Sequence, residues 1–332
     1  MSLPIYQHPS LTVLVDDSPN FLQSLTFQLD PTLPRKRFTC PKRALAWLRE
    51  QRWSTLPPVP LLCDNIDAYP RLTQQHAVGM NLEHICRISK QSERFMSPSV
   101  LVVDYSMPGM NGIEFCTALQ GTPYKIILLT GTADDRVAIA AFNSGLIHRY
   151  IQKSDDNALE RLSIEIAALQ RTYFKSQSDA LLAMLPLDDF SFVSDPAIER
   201  LFREIALRYE TVEHYLYTEP PGILLYDKNG LSRLLVIATE RTMNAHYEVA
   251  IDSGAPLSLL AALYERRVIP YFGSGDGMYS PAIGRAWYKF TRSAQIYWGS
   301  EKYYWAIFDE VSENVSAATP SFAKFMKVHL ND

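Results

Sequence analysis

The sequence predicts two domains: an α/β domain with a doubly wound parallel sheet of five strands, followed by an α+β domain. Three observations support this prediction. At 332 residues the chain is long enough for two domains. In its first half, short apolar runs alternate with helical patterns, as in βαβ units. In its second half, two hairpin patterns enclose helical patterns, which favours an antiparallel sheet backed by helices.

Five short runs predict the strands of the first domain, and four of them end on a polar residue. The runs lie at residues 11–15, 37–40, 100–103, 125–129 and 150–152. The polar residues that follow are Asp16 with Asp17, then Asp104, Thr130 and Lys153. Because ligands of open α/β sheets bind at the carboxyl ends of the strands, these side chains are candidates for one site.

Helical patterns fill the intervals between these strands. Residues 41–50 predict a helix with proline in its first turn, and the proline-rich residues 56–60 stop it. Residues 71–95 are again helical in composition, and they carry a partial apolar stripe of Leu72, Val78, Leu82, Ile85 and Ile88.

A long helix is predicted to start near Asp155 or Asp156 and to end near Met184. Its apolar positions Leu162, Ile166, Leu169 and Tyr173 form a seam that packs on a sheet or on a second helix. We interpret residues 171–185 as a helical linker that continues beyond the first domain.

The second domain, residues 186–332, begins with a helix whose signals are the cap Asp195 and a proline in the first turn. Strands at 222–227 and 234–238 form a hairpin around an Asn-Gly turn. Helices at 240–252 and 256–267 and a strand at 268–272 follow. A second hairpin pairs residues 294–298 with 303–308.

The polar strand ends have the chemistry of phosphoryl transfer to a carboxylate. The adjacent carboxylates of Asp16 and Asp17 repel each other unless a cation compensates them, and Mg²⁺ prefers oxygen ligands. Asp104 supplies a nucleophile, while Thr130 and Lys153 supply a hydroxyl and a compact positive charge. Taken singly, Asp104 also fits a turn and Thr130 also fits a helix cap.

With these residues in this order, roughly residues 10 to 170 resemble the receiver domain of bacterial two-component response regulators. The resemblance implies a flavodoxin-like fold and a phosphoacceptor at Asp104. It further implies Mg²⁺ held by Asp16, Asp17, Asp104 and the backbone carbonyl of Ser106. Thr130 and Lys153 would stabilise the phosphoryl group, and Thr130 with Tyr150 would act as the switch. The implied partner is a sensor histidine kinase or a phosphotransfer protein.

The sequence departs from the receiver pattern in two places. Ser154 follows Lys153 where receivers usually have proline. Asp17 and Asp104 lie 87 residues apart, roughly twice the usual interval, which indicates a helical insertion at about residues 55–97 within a receiver of residues 1–170. The insertion is interpreted as a cover for a sheet edge, with a docking or dimerisation arm as the alternative.

Composition restricts the functional class. The four cysteines are scattered, and no long apolar run or signal peptide is evident, so we expect a soluble, cytoplasmic protein that does not enter membranes. Residues 1–185 carry 18 basic and 17 acidic side chains, whereas residues 186–332 carry 14 and 19. An acidic second half argues against nucleic-acid binding through that domain, and a local basic patch is the alternative.

We therefore expect a response regulator that is not itself an enzyme and whose second domain acts on a protein or a ligand. The layout of the whole chain also resembles, faintly, that of bacterial quorum-sensing response regulators. The alternatives are an output enzyme or small-molecule sensor with a pocket near Asp276 and Arg285, and a DNA-binding output. A homodimer through the insertion or the long helix is a further hypothesis.

Overall fold

The computed structural model describes residues 3–51, 83–131, 135–182, 190–272, 277–309 and 320–329. These residues belong to two compact units. The parallel-sheet unit holds the described residues between 8 and 51, between 93 and 180, and from 325 onward. The antiparallel-sheet unit holds the described residues from 3 to 7, from 83 to 92 and from 181 to 324.

The parallel-sheet unit confirms the predicted fold. After β1 (Tyr6–Gln7), which belongs to the other unit, its strands are β2 (Leu11–Val15), β3 (Arg35–Phe38), β4 (Pro98–Asp104), β5 (Lys125–Thr130) and β6 (Arg149–Gln152). All pairs are parallel, and the spatial order is β3-β2-β4-β5-β6. Every residue of β2 and β4 is buried, as expected for strands covered on both faces.

Helices cover both faces of this sheet and create two hydrophobic cores. They are α1 (Pro19–Gln28), α2 (Pro41–Glu50), α4 (Gly112–Thr117), α5 (Asp135–Asn143) and α6 (Ala158–Leu182), while α3 (Glu83–Ile88) belongs to the other unit. The predicted seam of α6 is buried in one core through Leu162, Ile166 and Leu169. None of the described helices combines the length and apolar character needed to cross a lipid bilayer.

The antiparallel-sheet unit is an α+β structure with a six-stranded sheet. Its strands are β7 (Thr211–Thr218), β8 (Pro221–Asp227), β9 (Ser232–Thr239), β12 (Gln295–Trp298) and β13 (Lys302–Phe308), in the order β1-β7-β8-β9-β13-β12. A small sheet joins β10 (Val268–Pro270) to β11 (Thr291–Ser293). The helices are α7 (Pro196–Arg208), α8 (Glu240–Asp252) and α9 (Leu257–Tyr264), and α10 (Phe322–His329) lies near the end of the chain. Both predicted hairpins are present.

Residues 83–92 of the insertion and the first described residues of the chain pack in the antiparallel-sheet unit, whereas the expected boundaries placed both in the receiver. The contacts explain the difference. Strand β1 pairs with β7, where Tyr6 faces Tyr215, and the Leu216 N–H donates to the Ile5 carbonyl at 2.6 Å. From α3, the Cys86 thiol donates to the Leu216 carbonyl at 3.1 Å. Residues 52–82, which contain most of the predicted insertion, lie outside the described residues.

A buried carboxylate fixes the start of α7. Asp195 caps the helix by accepting from the Ala197 N–H at 2.8 Å, and it also accepts from the Ser300 N–H at 2.6 Å and the Ser300 hydroxyl at 2.7 Å. Position 299 requires glycine because an added Cβ would lie 2.3 Å from the Asp195 Oδ2 atom. One side chain therefore ties α7 to the turn between β12 and β13.

His214 makes the stability of the antiparallel-sheet unit depend on pH. Its ring is buried, its Nε2–H donates to the Pro4 carbonyl at 2.9 Å, and burial lowers its pKa from 6.5 to about 4. Below pH 6.5 the unfolded chain therefore binds a proton that the folded unit does not bind until about pH 4. We predict that this histidine alone lowers the free energy of unfolding by about 2 kcal/mol between pH 7 and pH 5.

The measurement is urea denaturation of the wild type and of His214→Gln at both pH values. The variant should lose less stability on acidification than the wild type does. Equal losses would mean that the imidazole takes up its proton in the folded state as easily as in the unfolded state.

Candidate functional site

Parallel register brings the polar strand ends together at one edge of the sheet. Val15 pairs with Val103, and Asp104 pairs with Leu129, so Asp16, Asp104 and Thr130 follow one another across neighbouring strands. Lys153 comes directly after β6, and its N–H donates to the Thr130 carbonyl at 2.9 Å. The structure thus places the side chains singled out from the sequence around the ends of four strands.

Three carboxylates form the centre of this site. One oxygen each of Asp16, Asp17 and Asp104 lies within 4.8 Å of the others. Asp16 and Asp104 are buried, whereas Asp17 is exposed. A compact group of carboxylate oxygens with one solvent-facing member matches the donors that Mg²⁺ prefers and leaves room for water ligands.

Lys153 lies between two of these carboxylates. Its Nζ atom lies 2.6 Å from the Asp16 Oδ2 atom and 2.9 Å from the Asp104 Oδ1 atom. Burial disfavours the ammonium, but its hydrogen bonds to Asp104 and Asp16 outweigh this and raise the pKa of Lys153. The lysine reaches both carboxylates although Ser154 replaces the usual proline.

One ammonium does not neutralise three carboxylates. Burial raises the pKa of Asp104, and the negative charges of Asp16 and Asp17 raise it further, while Lys153 acts in the opposite direction. The site therefore carries two uncompensated negative charges when all its groups are ionised. A divalent cation is the group that this arrangement fits.

The site also contains two hydrogen-bond donors that suit an acceptor bound to Asp104. The Ser106 N–H donates to the Asp104 Oδ2 atom at 3.1 Å. The Thr130 hydroxyl is fully buried and has no hydrogen-bond partner in the part of the chain that the structure describes. An unpaired buried hydroxyl is costly, and an added acceptor such as a phosphoryl oxygen would satisfy it.

An aromatic residue of the site was missed from the sequence. The Phe21 ring, on the first turn of α1, lies 4.2 Å from the Lys153 Nζ atom and contributes a cation–π contact. Nothing in the sequence distinguishes Phe21 from an ordinary helical core residue. Its role depends on the placement of α1 beside the end of β6.

Tyr150, predicted as a switch residue, is partly buried on β6 and packs edge-on against Phe142 of α5, with ring centroids 6.3 Å apart. The neighbouring helix exposes Val137, Ile139 and Phe142, each by slightly more than 40%. A tyrosine and an apolar helix surface therefore lie side by side near the acidic site.

Gly112 keeps the backbone after Asp104 in place. A Cβ at this position would lie 2.5 Å from the Asp104 carbonyl oxygen and 2.8 Å from the Leu128 Cδ1 atom. We predict that Gly112→Ala lowers the free energy of unfolding by about 1–3 kcal/mol, because backbone and core must shift apart. Urea denaturation checks this.

Gly121→Ala is the matched control. Gly121 has a positive φ of 84° but open space around its Cα, so its alanine variant should lose only about 1 kcal/mol. If Gly112→Ala lowered the free energy of unfolding by no more than Gly121→Ala does, the close approach to Asp104 would not constrain the loop.

The pocket predicted near Asp276 and Arg285 stays a prediction. Arg285 is exposed on the 3-10 helix Gly284–Phe290, which has no buried residue, and Asp276 lies outside the described residues. A cavity of about 320 Å³ lies elsewhere in the antiparallel-sheet unit. Its lining includes Arg208, Tyr209, Arg292, Trp305 and Asp309.

Comparisons with known proteins agree with this geometry. Residues 76–163 match the response regulator receiver domain model, a range that contains Asp104, Thr130 and Lys153. The chain is similar to the response regulator LqsR from Legionella pneumophila, with 32% identity, a TM-score of 0.78, and coverage of 98% of this chain and 95% of that one. It also matches a receiver domain protein from Clostridium thermocellum, with 17% identity, a TM-score of 0.31, and coverage of 53% and 99%. A comparison with curated proteins finds no match.

Proposed function

The chain belongs to the response-regulator family, and we propose that its Asp104 accepts a phosphoryl group from a sensor histidine kinase or a phosphotransfer protein. The observation that carries the proposal is the group of Asp16, Asp17 and Asp104 with Lys153 bridging two of its members. The unpaired Thr130 hydroxyl supports it as a donor for the incoming group.

In the proposed reaction, a carboxylate oxygen of Asp104 attacks the phosphorus atom of the donor. The new P–O bond forms as the bond from phosphorus to the donor breaks, and the leaving group keeps the electron pair. Lys153 remains charged beside Asp104 and stabilises negative charge on the phosphoryl oxygens. The Ser106 N–H and the Thr130 hydroxyl supply two further hydrogen bonds.

Asp16, Asp17 and Asp104 would hold the Mg²⁺ ion, with the backbone carbonyl of Ser106 as the remaining protein ligand. When bound, the ion supplies positive charge that compensates the carboxylates and the transferring group. The residues also orient one another: the Ser18 N–H donates to the Asp16 Oδ1 atom at 2.9 Å, which leaves Oδ2 to Lys153.

Phosphorylation would change the conformation of the surface beside the site. A phosphoryl group adds negative charge and acceptors, which draw the Thr130 hydroxyl inward and leave space for Tyr150 to follow. Since Tyr150 packs against Phe142, its movement would repack α5 and shift the population between two arrangements. The exposed apolar side chains of α5 would then meet a different partner.

We further propose that the antiparallel-sheet unit is the output, and that it acts by binding a protein or ligand rather than by catalysis. A role in quorum sensing, which rests on the faint resemblance of the two-domain layout to quorum-sensing response regulators, and a cytoplasmic site of action are parts of this proposal. Homodimerisation through the insertion or through α6 is part of the proposal. Light scattering with and without phosphorylation tests it, and a monomer in both states would contradict it.

The test of phosphoryl acceptance is the intact mass of the full chain after incubation with acetyl phosphate and Mg²⁺. We expect a gain of one phosphoryl group with Mg²⁺ and none when a chelator replaces the metal. An unchanged mass with Mg²⁺ would contradict the proposal, and so would a gain that the chelator does not affect.

A second candidate is that the output unit senses a small molecule, which the cavity favours. Its volume of about 320 Å³ falls in the range of ligand pockets, and Arg208 and Arg292 line it beside Trp305. These groups suit a planar organic anion. A thermal-shift screen of aromatic carboxylates tests this candidate: a stabilisation that Arg292→Ala abolishes supports it, and no stabilisation by any compound counts against it.

A further inference from the structure

The edge of the parallel sheet that is formed by β3 carries a high concentration of positive charge. Residues 35–49 contain six basic residues and no acidic residue. Three lie on the edge strand β3 and three on α2, and together we call them the basic edge: Arg35, Lys36, Arg37, Lys42, Arg43 and Arg49. The charge comes from two consecutive elements of one unit.

Most of these cations face solvent without an acidic partner. Arg37, Lys42, Arg43 and Arg49 are exposed, and none forms an ion pair with another described residue. Lys36 contacts only aromatic rings, with its Nζ atom 5.2 Å from the Trp47 ring and 5.9 Å from the Phe38 ring. Their charges are therefore available to an external anion.

The arrangement costs stability within the protein itself. Lys42 and Arg43 stand in the first turn of α2, where the helix dipole disfavours cations, and no acidic residue is present there. Burial and the nearby charge of Arg37 both lower the pKa of Arg35. Protection of a sheet edge explains basic residues on β3 but not those on the helix. An unfavourable placement of surface charges that no contact with a described residue compensates indicates a binding function.

We propose that the basic edge binds the phosphate backbone of duplex DNA without sequence specificity. Duplex DNA is a dense polyanion, and contacts to its backbone are made chiefly by arginine and lysine. A lipid surface fits less well, because no large apolar side chain between residues 35 and 51 is strongly exposed for insertion. A protein partner fits less well because the basic edge offers no strongly exposed large apolar side chain for the core of an interface. The acidic excess counted in the sequence belongs to residues 186–332, whereas the basic edge belongs to the parallel-sheet unit.

Fluorescence anisotropy with a short labelled DNA duplex and the full chain tests the proposal. We expect binding whose logarithmic salt slope approaches −4 between about 50 and about 200 mM salt, since four to five cations contact phosphates. The double variant Arg37→Glu and Arg43→Glu should bind at least about 30-fold more weakly at about 50 mM salt, and its slope should fall by about two. Lys324→Glu with Lys327→Glu changes the net charge equally on exposed α10 and should bind as the wild type does.

A second variant separates binding from folding. Lys42→Gln with Arg43→Gln should weaken DNA binding while leaving the melting temperature unchanged or higher, because it removes cations from the start of α2. Three results would overturn the proposal: no duplex binding at low salt, equal weakening in the α10 control, or tighter binding to single-stranded RNA or to polyglutamate than to the duplex.

Discussion

Replacing Asp104 by asparagine should abolish phosphoryl uptake from acetyl phosphate. The amide nitrogen and oxygen of asparagine are poor nucleophiles, and the substitution removes one of three metal-binding carboxylates. No other described acidic residue of the site touches both Lys153 and the Ser106 N–H as Asp104 does. A phosphate-affinity gel of wild type and variant measures the difference, with the variant expected at background.

The same substitution should leave the fold intact. Burial raises the pKa of Asp104, so a neutral side chain is accommodated at least as easily as the charged one. Thermal unfolding of Asp104→Asn should therefore occur at the temperature of the wild type or slightly above it. Asp179→Asn, on the exposed surface of α6, is the control and should accept the phosphoryl group normally. Uptake that survives in Asp104→Asn would assign the chemistry to another residue.

Replacing Lys153 by methionine should slow phosphoryl uptake by roughly 10²–10³-fold, the usual cost of removing one preorganised charged donor. Methionine keeps the apolar length of the side chain and its packing near Phe21, but it leaves the Asp16 Oδ2 and Asp104 Oδ1 atoms without their ammonium. Uptake followed by mass spectrometry at saturating Mg²⁺ gives the rate. Lys175→Met, which removes a surface ion pair with Asp179 on α6, is the matched control.

Arginine should not restore the rate at position 153. The guanidinium is larger and planar, whereas the observed site places one nitrogen within 2.9 Å of two different carboxylates. A Lys153→Met variant that reacts as fast as the wild type would remove the lysine from the proposed chemistry. A slow variant whose circular dichroism matches the wild type would assign the loss to the missing charge.

Strands β2, β4 and β5 were predictable because they contain continuous apolar runs that end on polar residues. Strand β3 (Arg35–Phe38) was predicted two residues too late, because three of its four residues are basic and no apolar run marks it. Strand β7 was not predicted, because Thr211–Thr218 mixes buried aromatic residues with Glu213 and His214, whose burial depends on partners far away in sequence. Strand β1 has only two residues, and its partner Tyr215 lies in another part of the chain. The packing of α3 beside β7 was not predicted for the same reason, since the local sequence pattern does not reveal which unit a helix contacts.

The arrangement of the site was more predictable from the sequence than the structure of the antiparallel-sheet unit was. Parallel strands in register bring their ends together, so the order Asp16, Asp104, Thr130 and Lys153 along the chain was sufficient to assemble the side chains. The contribution of Phe21 required the three-dimensional position of α1. In the antiparallel-sheet unit the cavity depends on side chains from α7, β11 and β13, which no single sequence motif connects.

The most direct test of the central claim is to locate the phosphoryl group on the chain. Borohydride reduces an aspartyl phosphate to homoserine, which marks the acceptor in a peptide map. After incubation with acetyl phosphate and Mg²⁺, we predict homoserine at position 104 and at no other aspartate, and no mark when Mg²⁺ is withheld. A mark at a different aspartate, or no mark in a sample whose intact mass has increased, would contradict phosphoryl acceptance by Asp104.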